Sequence, residues 1–143
     1  MSLDKTTGVS SCSEIRDFPL YSSLVAAGFP SPADDYIDRR LDLNELLVAH
    51  PSATFFVRVS GDSMIGAGIH DGDLLIVDRA VQPADRNIVI AVVEDEMTVK
   101  RLRIETGRVI LLPENPDFEP IVIGDPANLT IWGVVTNVIH AVL

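Results

Sequence analysis

A chain of 143 residues, 47% of them hydrophobic, has material for one core of ordinary size and little beyond it. Its 11 basic and 21 acidic residues give a formal net charge of −10, which opposes the counterion-release attraction that dominates nucleic-acid binding, so a DNA-grasping surface is not expected. The lone cysteine, Cys12, excludes an intrachain disulfide. It suits the cytoplasm, and no segment has the basic start and apolar run of a secretory signal or the roughly 20 apolar residues of a spanning helix.

Residues 1–17 are rich in Ser and Thr and lack any apolar period, so burial cannot offset their ordering entropy and they are expected to be disordered, with Cys12 a free thiol among them. Between residues 18 and 32 the chain turns apolar, with Phe18, Leu20, Tyr21, Leu24, Val25 and Phe29 interrupted by Pro19, Pro30 and Pro32. Such a segment calls for a docking surface, and its prolines resist helix. Asp42, followed three positions later by Glu45, predicts the capped start of one short helix, which His50-Pro51 brings to an end.

Beyond residue 50 the pattern becomes short β-branched runs. They are 54–59, 74–78, 88–93, 97–104, 109–112, 121–123 and 129–142, separated by Gly, Pro and Asp turns. Seven such runs predict an all-β domain. The expected organisation is an N-terminal arm over 1–45 and a compact domain over 46–143.

The densest turn chemistry is the stretch from Ser60-Gly61-Asp62-Ser63-Met64 to Asp71-Gly72-Asp73, between two predicted strands. Its glycines would let backbone N–H groups converge on a bound oxyanion, with Ser63 as the reactive hydroxyl. The same residues also fit a plain glycine-rich connection whose serines cap local turns. Glycine is absent at Ile65, where an α/β-hydrolase elbow would need it.

A nucleophilic serine needs a base. His50 precedes a proline, His70 falls in a turn and His140 in the last predicted strand, so each reads as structural or exposed. In Thr98-Val99-Lys100-Arg101-Leu102-Arg103-Ile104, strand alternation places Lys100 on the face of Leu102 and Ile104, opposite Arg101 and Arg103. Burial there would favour the neutral amine, which can accept a proton, although a lysine snorkelling from a strand edge has the same pattern. In the arm, Ala26-Ala27-Gly28-Phe29 offers small residues between apolar anchors, at a tether length from Ser63 that reaches a cleft on its own domain or a partner's.

Taken in order, several blocks resemble the UmuD branch of the LexA-like self-cleaving peptidases. They are Phe18-Pro19-Leu20, Ala27-Gly28-Phe29-Pro30-Ser31-Pro32-Ala33, His50-Pro51-Ser52-Ala53-Thr54, Ser60-Gly61-Asp62-Ser63-Met64, Asp71 to Asp78 and Thr98-Val99-Lys100. The resemblance implies a curved-sheet peptidase domain with a flexible N-terminal arm. It implies Ser63 as nucleophile, Lys100 as general base, the backbone amides near Ser63 and Met64 as oxyanion donors, and Ala27-Gly28 as the bond cut. It further implies a homodimer whose cleavage is promoted by the RecA filament on single-stranded DNA in the SOS response, after which the shortened form joins a UmuC-like translesion polymerase. No cofactor and no metal are implied. The chain departs from the family twice. Its bond is Ala-Gly where the best-known UmuD has Cys-Gly, and Asp85-Arg86-Asn87 stands where members often carry glycine, which puts that turn's geometry in question.

Three other functions compete. A LexA-like repressor shares the peptidase domain and the Ala-Gly bond, but the 27 residues before the expected cut are too few for a helix-turn-helix. Signal peptidases use related chemistry but require membrane anchorage. A non-catalytic β-domain for assembly would leave Ser63 and Lys100 incidental.

Overall fold

The computed structural model of the chain describes residues 15–22, 24–29 and 37–143. The expectation of disorder over residues 1–14 and the Cys12 thiol lie outside these, as do Pro30 and Pro32. The chain divides into two units, one ending at Leu46 and the other running from Leu47 to Leu143.

In the first unit, β1 (Asp17–Tyr21) pairs antiparallel with β2 (Ile37–Asp42), Asp17 opposite Asp42 and Pro19 opposite Arg40. Asp17 is therefore the first residue of a strand and not the end of a disordered tail. A two-stranded ribbon has only edges, and an edge tolerates Pro19, which lacks an N–H to donate. The exposed Arg40 guanidinium bonds the Asp17 carboxylate at 2.7 Å across the ribbon, a contact worth about 0–1 kcal/mol. A short helix, α1 (Leu43–Leu47), follows directly. Its Asp42 side chain accepts from the Asn44 amide at 2.9 Å, the cap read from the sequence.

The second unit is built on seven strands. They are β3 (Thr54–Arg58), β4 (Leu74–Asp78), β5 (Ile88–Val93), β6 (Glu96–Glu105), β7 (Arg108–Leu112), β8 (Ile121–Ile123) and β9 (Leu129–Ile139). They form one antiparallel sheet in the order β3-β4-β9-β5-β6-β7-β8. Among the described residues the all-β expectation and its single short helix are borne out.

The long β9 joins the two halves of this sheet, pairing with β5 through Leu129–Val134 and with β4 through Val134–Ile139. Its register shifts twice, between Ile131 and Gly133 and between Val135 and Asn137. Such bulges bend a strand and increase its twist. A Cβ at Gly133 would meet Val77 Cγ1 at 2.6 Å, so the first bend needs glycine for the strands to approach. β9 ends at Ile139, three residues short of the expected end, because its last partner is Leu74, the first residue of β4. His140 consequently lies just past the strand.

β5 explains why the core has two parts. Ile88 and Ile90 join a cluster with Val59, Met64, Ile69, Leu75 and Val77, while Val89, Ala91 and Val93 join one with Leu102, Leu111 and Val134. A strand buried on both faces reads as an unbroken apolar run, as Ile88–Val93 does. In the turn before it, Arg86 adopts φ 76°, the left-handed conformation that favours glycine. Its amide donates to Leu102 O at 2.7 Å and its carbonyl accepts from the Arg101 guanidinium at 2.6 Å, contacts that oppose the strain. Ile104, expected inward with Lys100, is 46% exposed, because the inward face of β6 runs out of cover beyond Leu102.

Candidate active site

The loop between β3 and β4 is held at several points by hydrogen bonds. The Gly61 amide donates to the Asp71 carboxylate at 2.7 Å, and the Asn115 side chain donates to Asp62 O at 2.9 Å. Ser63 O accepts from the Glu114 amide at 2.8 Å, while Glu114 O accepts from the Gly66 amide at 2.7 Å. A Cβ at Gly66 would lie 2.6 Å from that same Glu114 oxygen, so only glycine lets the two backbones meet. Met64 and Ile69 drive their side chains into the core beneath, at 1% and 0% exposure. Ser63 is thus fixed on both sides, by backbone bonds before and after it and by a buried neighbour.

Lys100 enters from the sheet. Alternation along β6 places it between Thr98 and Leu102 on one face, and only 8% of it is exposed. Its Nζ lies 3.2 Å from Ser63 Oγ, 2.8 Å from Thr98 Oγ1 and 3.1 Å from Val99 O. Among the described residues no carboxylate pairs with it. Desolvation therefore acts without a countercharge and pushes the amine below its ordinary lysine value, toward the neutral form. Arg101 and Arg103 keep carboxylate partners, Glu114 and Asp85 or Glu105.

The two groups open on a cavity of about 300 Å³ whose other walls include Val57, Val59, Leu75, Met97 and Phe118. The Met64 backbone has φ −117° and ψ 22°, and its carbonyl accepts from the Ala67 and Ile69 amides. The amides of Ser63 and Met64 donate no hydrogen bond among the described residues, leaving two donors free beside the hydroxyl.

The structure thus brings Ser63, Met64 and Lys100 together. Ala27 and Gly28 belong to the first unit, in an exposed bend of the connection between β1 and β2, with nothing within 4 Å of where a Gly28 Cβ would stand. Two of the three histidines pair away from this site, His50 with Asp78 and His140 with Asp73, each at 2.6 Å. Two contributors were missed in the sequence. Thr98 was legible in principle, since it stands two positions before Lys100 on the same strand face. Glu114, whose backbone clamps the serine loop from about 50 residues away, carries no local signal.

Comparison with known proteins agrees with this geometry. The family model described as Peptidase S24-like matches residues 19–136. Protein MucA of Salmonella typhimurium is 48% identical over 130 residues, spanning 90% of this chain and 88% of MucA. Protein ImpA of Shigella flexneri is 49% identical over 124 residues, 85% of this chain and 83% of ImpA. A LexA repressor from Bordetella pertussis is 42% identical over 116 residues, which are 81% of this chain but 53% of the repressor. With most of its length inside that match and a lysine amine against a serine hydroxyl at its centre, the chain belongs to the S24-like family of serine-lysine peptidases.

Proposed function

We propose that this protein cuts its own N-terminal segment at Ala27-Gly28, with Ser63 as nucleophile, Lys100 as general base and the Ser63 and Met64 amides as oxyanion donors. The contact that carries this reading is the 3.2 Å approach of a buried, carboxylate-free Lys100 Nζ to Ser63 Oγ. Neutral Lys100 takes the Ser63 proton as Oγ bonds to the Ala27 carbonyl carbon. The oxyanion so formed collapses, the C–N bond breaks, and the ammonium returns its proton to the leaving Gly28 nitrogen. Water, deprotonated by the same amine, then attacks the Ala27 carbonyl carbon, and as the bond to Oγ breaks the ammonium returns that proton to Ser63, releasing Ala27 as a carboxylate. Thr98 Oγ1 and Val99 O aim Nζ throughout. The apolar walls of the cavity suit the small, uncharged residues at the bond.

The arm, residues 1–45, is in this reading the substrate of the domain over 46–143. The protein acts as a cytoplasmic homodimer; no described helix is long and apolar enough to cross a membrane. A RecA filament on single-stranded DNA promotes cleavage by favouring the conformer with the arm in the cleft, a population shift that a preference of a few kcal/mol makes large. The cleaved dimer then serves a UmuC-like polymerase in SOS mutagenesis and translesion synthesis. Coverage of MucA and ImpA nearly end to end, against about half of the LexA repressor, supports this accessory role over repression, as does the net charge of −10.

Mass spectrometry of the purified protein, with and without RecA assembled on single-stranded DNA, tests the proposal. Of the 143 residues, loss of the first 27 should leave 116 beginning at Gly28, faster with RecA. Ser63→Ala should stay whole while remaining folded and dimeric. Cleavage by the folded alanine variant, or a product with another N-terminus, contradicts the assignment.

A further inference from the structure

Two imidazoles from distant parts of the sequence converge on one buried carboxylate. Asp73 is 3% exposed, with His140 Nδ1 2.6 Å from its Oδ1 and His70 Nδ1 3.6 Å from its Oδ2. The imidazole rings lie 4.6 Å apart, tilted by 36°. One candidate ligand atom from each of the three residues lies within 4.8 Å of the others. Among the described residues His70 Nδ1 is buried and has no hydrogen-bond partner, an arrangement that calls for an acceptor, a donor or an ion. Asp73 Oδ2 also accepts from the His70 amide at 2.7 Å, which fixes the carboxylate's orientation. None of these residues lines the cavity at Ser63 and Lys100.

We propose that His70, Asp73 and His140 form a binding site for a divalent transition-metal ion, with zinc the best fit. Two imidazole nitrogens and one carboxylate oxygen are the donor types zinc takes, and imidazole also suits nickel and copper. Contraction from 4.8 Å would come from rotation of the two histidine side chains, which are 43% and 45% exposed and so not locked by packing on every side. His70 and Asp73 close the loop that carries Ser63, and His140 begins the tail after β9, so the ion would tie the end of the sheet to that loop. A ligand held only by the folded chain raises its stability. The site is independent of the self-cleavage chemistry.

The test uses untagged full-length protein carrying Cys12→Ser, so that a thiol cannot supply a competing ligand. Titration with Zn²⁺ should give one ion per chain and raise the melting temperature, and Co²⁺ should produce the visible absorption of a low-coordinate site. His70→Ala and His140→Ala should each weaken Zn²⁺ binding by about tenfold to a hundredfold or more, since loss of even outer partners costs that much. His50→Ala, which removes the imidazole of a His-Asp pair lacking a second histidine, should bind as before. Circular dichroism checks that each variant is folded, and His70→Gln or His140→Gln replaces any alanine variant that is not. Failure of the unaltered site to bind Zn²⁺ stoichiometrically overturns the proposal. So does undiminished binding when either His70 or His140 is lost.

Discussion

The segment that carries Ser63 and the segment that carries Ala27-Gly28 are held in opposite ways. The serine loop is closed by the Gly61–Asp71, Asn115–Asp62 and paired Ser63–Glu114–Gly66 bonds, above the buried Met64 and Ile69. The stretch around Ala27-Gly28 shows Leu24, Val25 and Phe29 at 87%, 95% and 91% exposure. A catalytic group must be held near its productive geometry before the reaction, because a misplacement of about 1 Å can cost about a hundredfold in rate. A segment that must enter a cleft gains from the reverse, since its apolar side chains remain available to be buried when it docks. On the proposed cleavage at Ala27-Gly28, rigidity belongs to the machinery and unspent apolar surface to the substrate.

The two glycines at these places put the contrast to a quantitative test. Gly66→Ala forces a methyl group against Glu114 O and loosens the clamp on Ser63. The expected result is about 1–3 kcal/mol of destabilisation by denaturant unfolding and a fall in cleavage of about ten- to a hundredfold by gel densitometry. An alanine variant with unaltered rate would mean that the clamp does not set the position of Ser63. Thr98→Val should act more mildly. It removes one of three partners of Nζ while keeping the strand's shape, so cleavage should slow by about tenfold, or about 1.4 kcal/mol in the barrier, with stability nearly unchanged. At the other extreme, Gly28→Ala meets nothing within 4 Å. In an uncleavable Ser63→Ala background its unfolding free energy should match the parent within about 0.5 kcal/mol. A larger shift would show that the segment is packed in the free protein.

Much of the fold was legible because its signals are local. The runs 74–78, 88–93 and 121–123 became strands with the expected bounds, and Asp42 caps α1 as its position foretold. The β1–β2 ribbon was not read, because Ile37–Asp42 has one central pair of arginines and no alternation, and because its partner strand contains Pro19. Lys100 was placed inward correctly by alternation, yet the same rule misplaced Ile104, since period says which face a residue takes and not how far the cover extends. The turn at Arg86, in question from the sequence, forms without glycine because the Arg101 side chain and the Leu102 backbone carbonyl, on the neighbouring strand, satisfy it. The meeting of Asp73 with His140, 67 positions apart, belongs to the same class of fact. Each histidine alone looked structural, and only the closure of the sheet brings them together.

The role of Lys100 as base can be measured through the pH dependence of self-cleavage from pH 7 to 10, without RecA, in wild type, Lys100→Ala and Lys100→Arg. Burial lowers the folded-state pKa of Lys100, and only the neutral amine can accept the Ser63 proton. Below that pKa the wild-type rate should rise about tenfold per pH unit and then level off as the amine becomes mostly neutral. The alanine variant should be slower than wild type by at least about 10³-fold, and the arginine variant should stay inactive throughout because its guanidinium remains charged. A flat wild-type profile, or an arginine variant cleaving at near-normal speed, would contradict the assignment of Lys100 as the base.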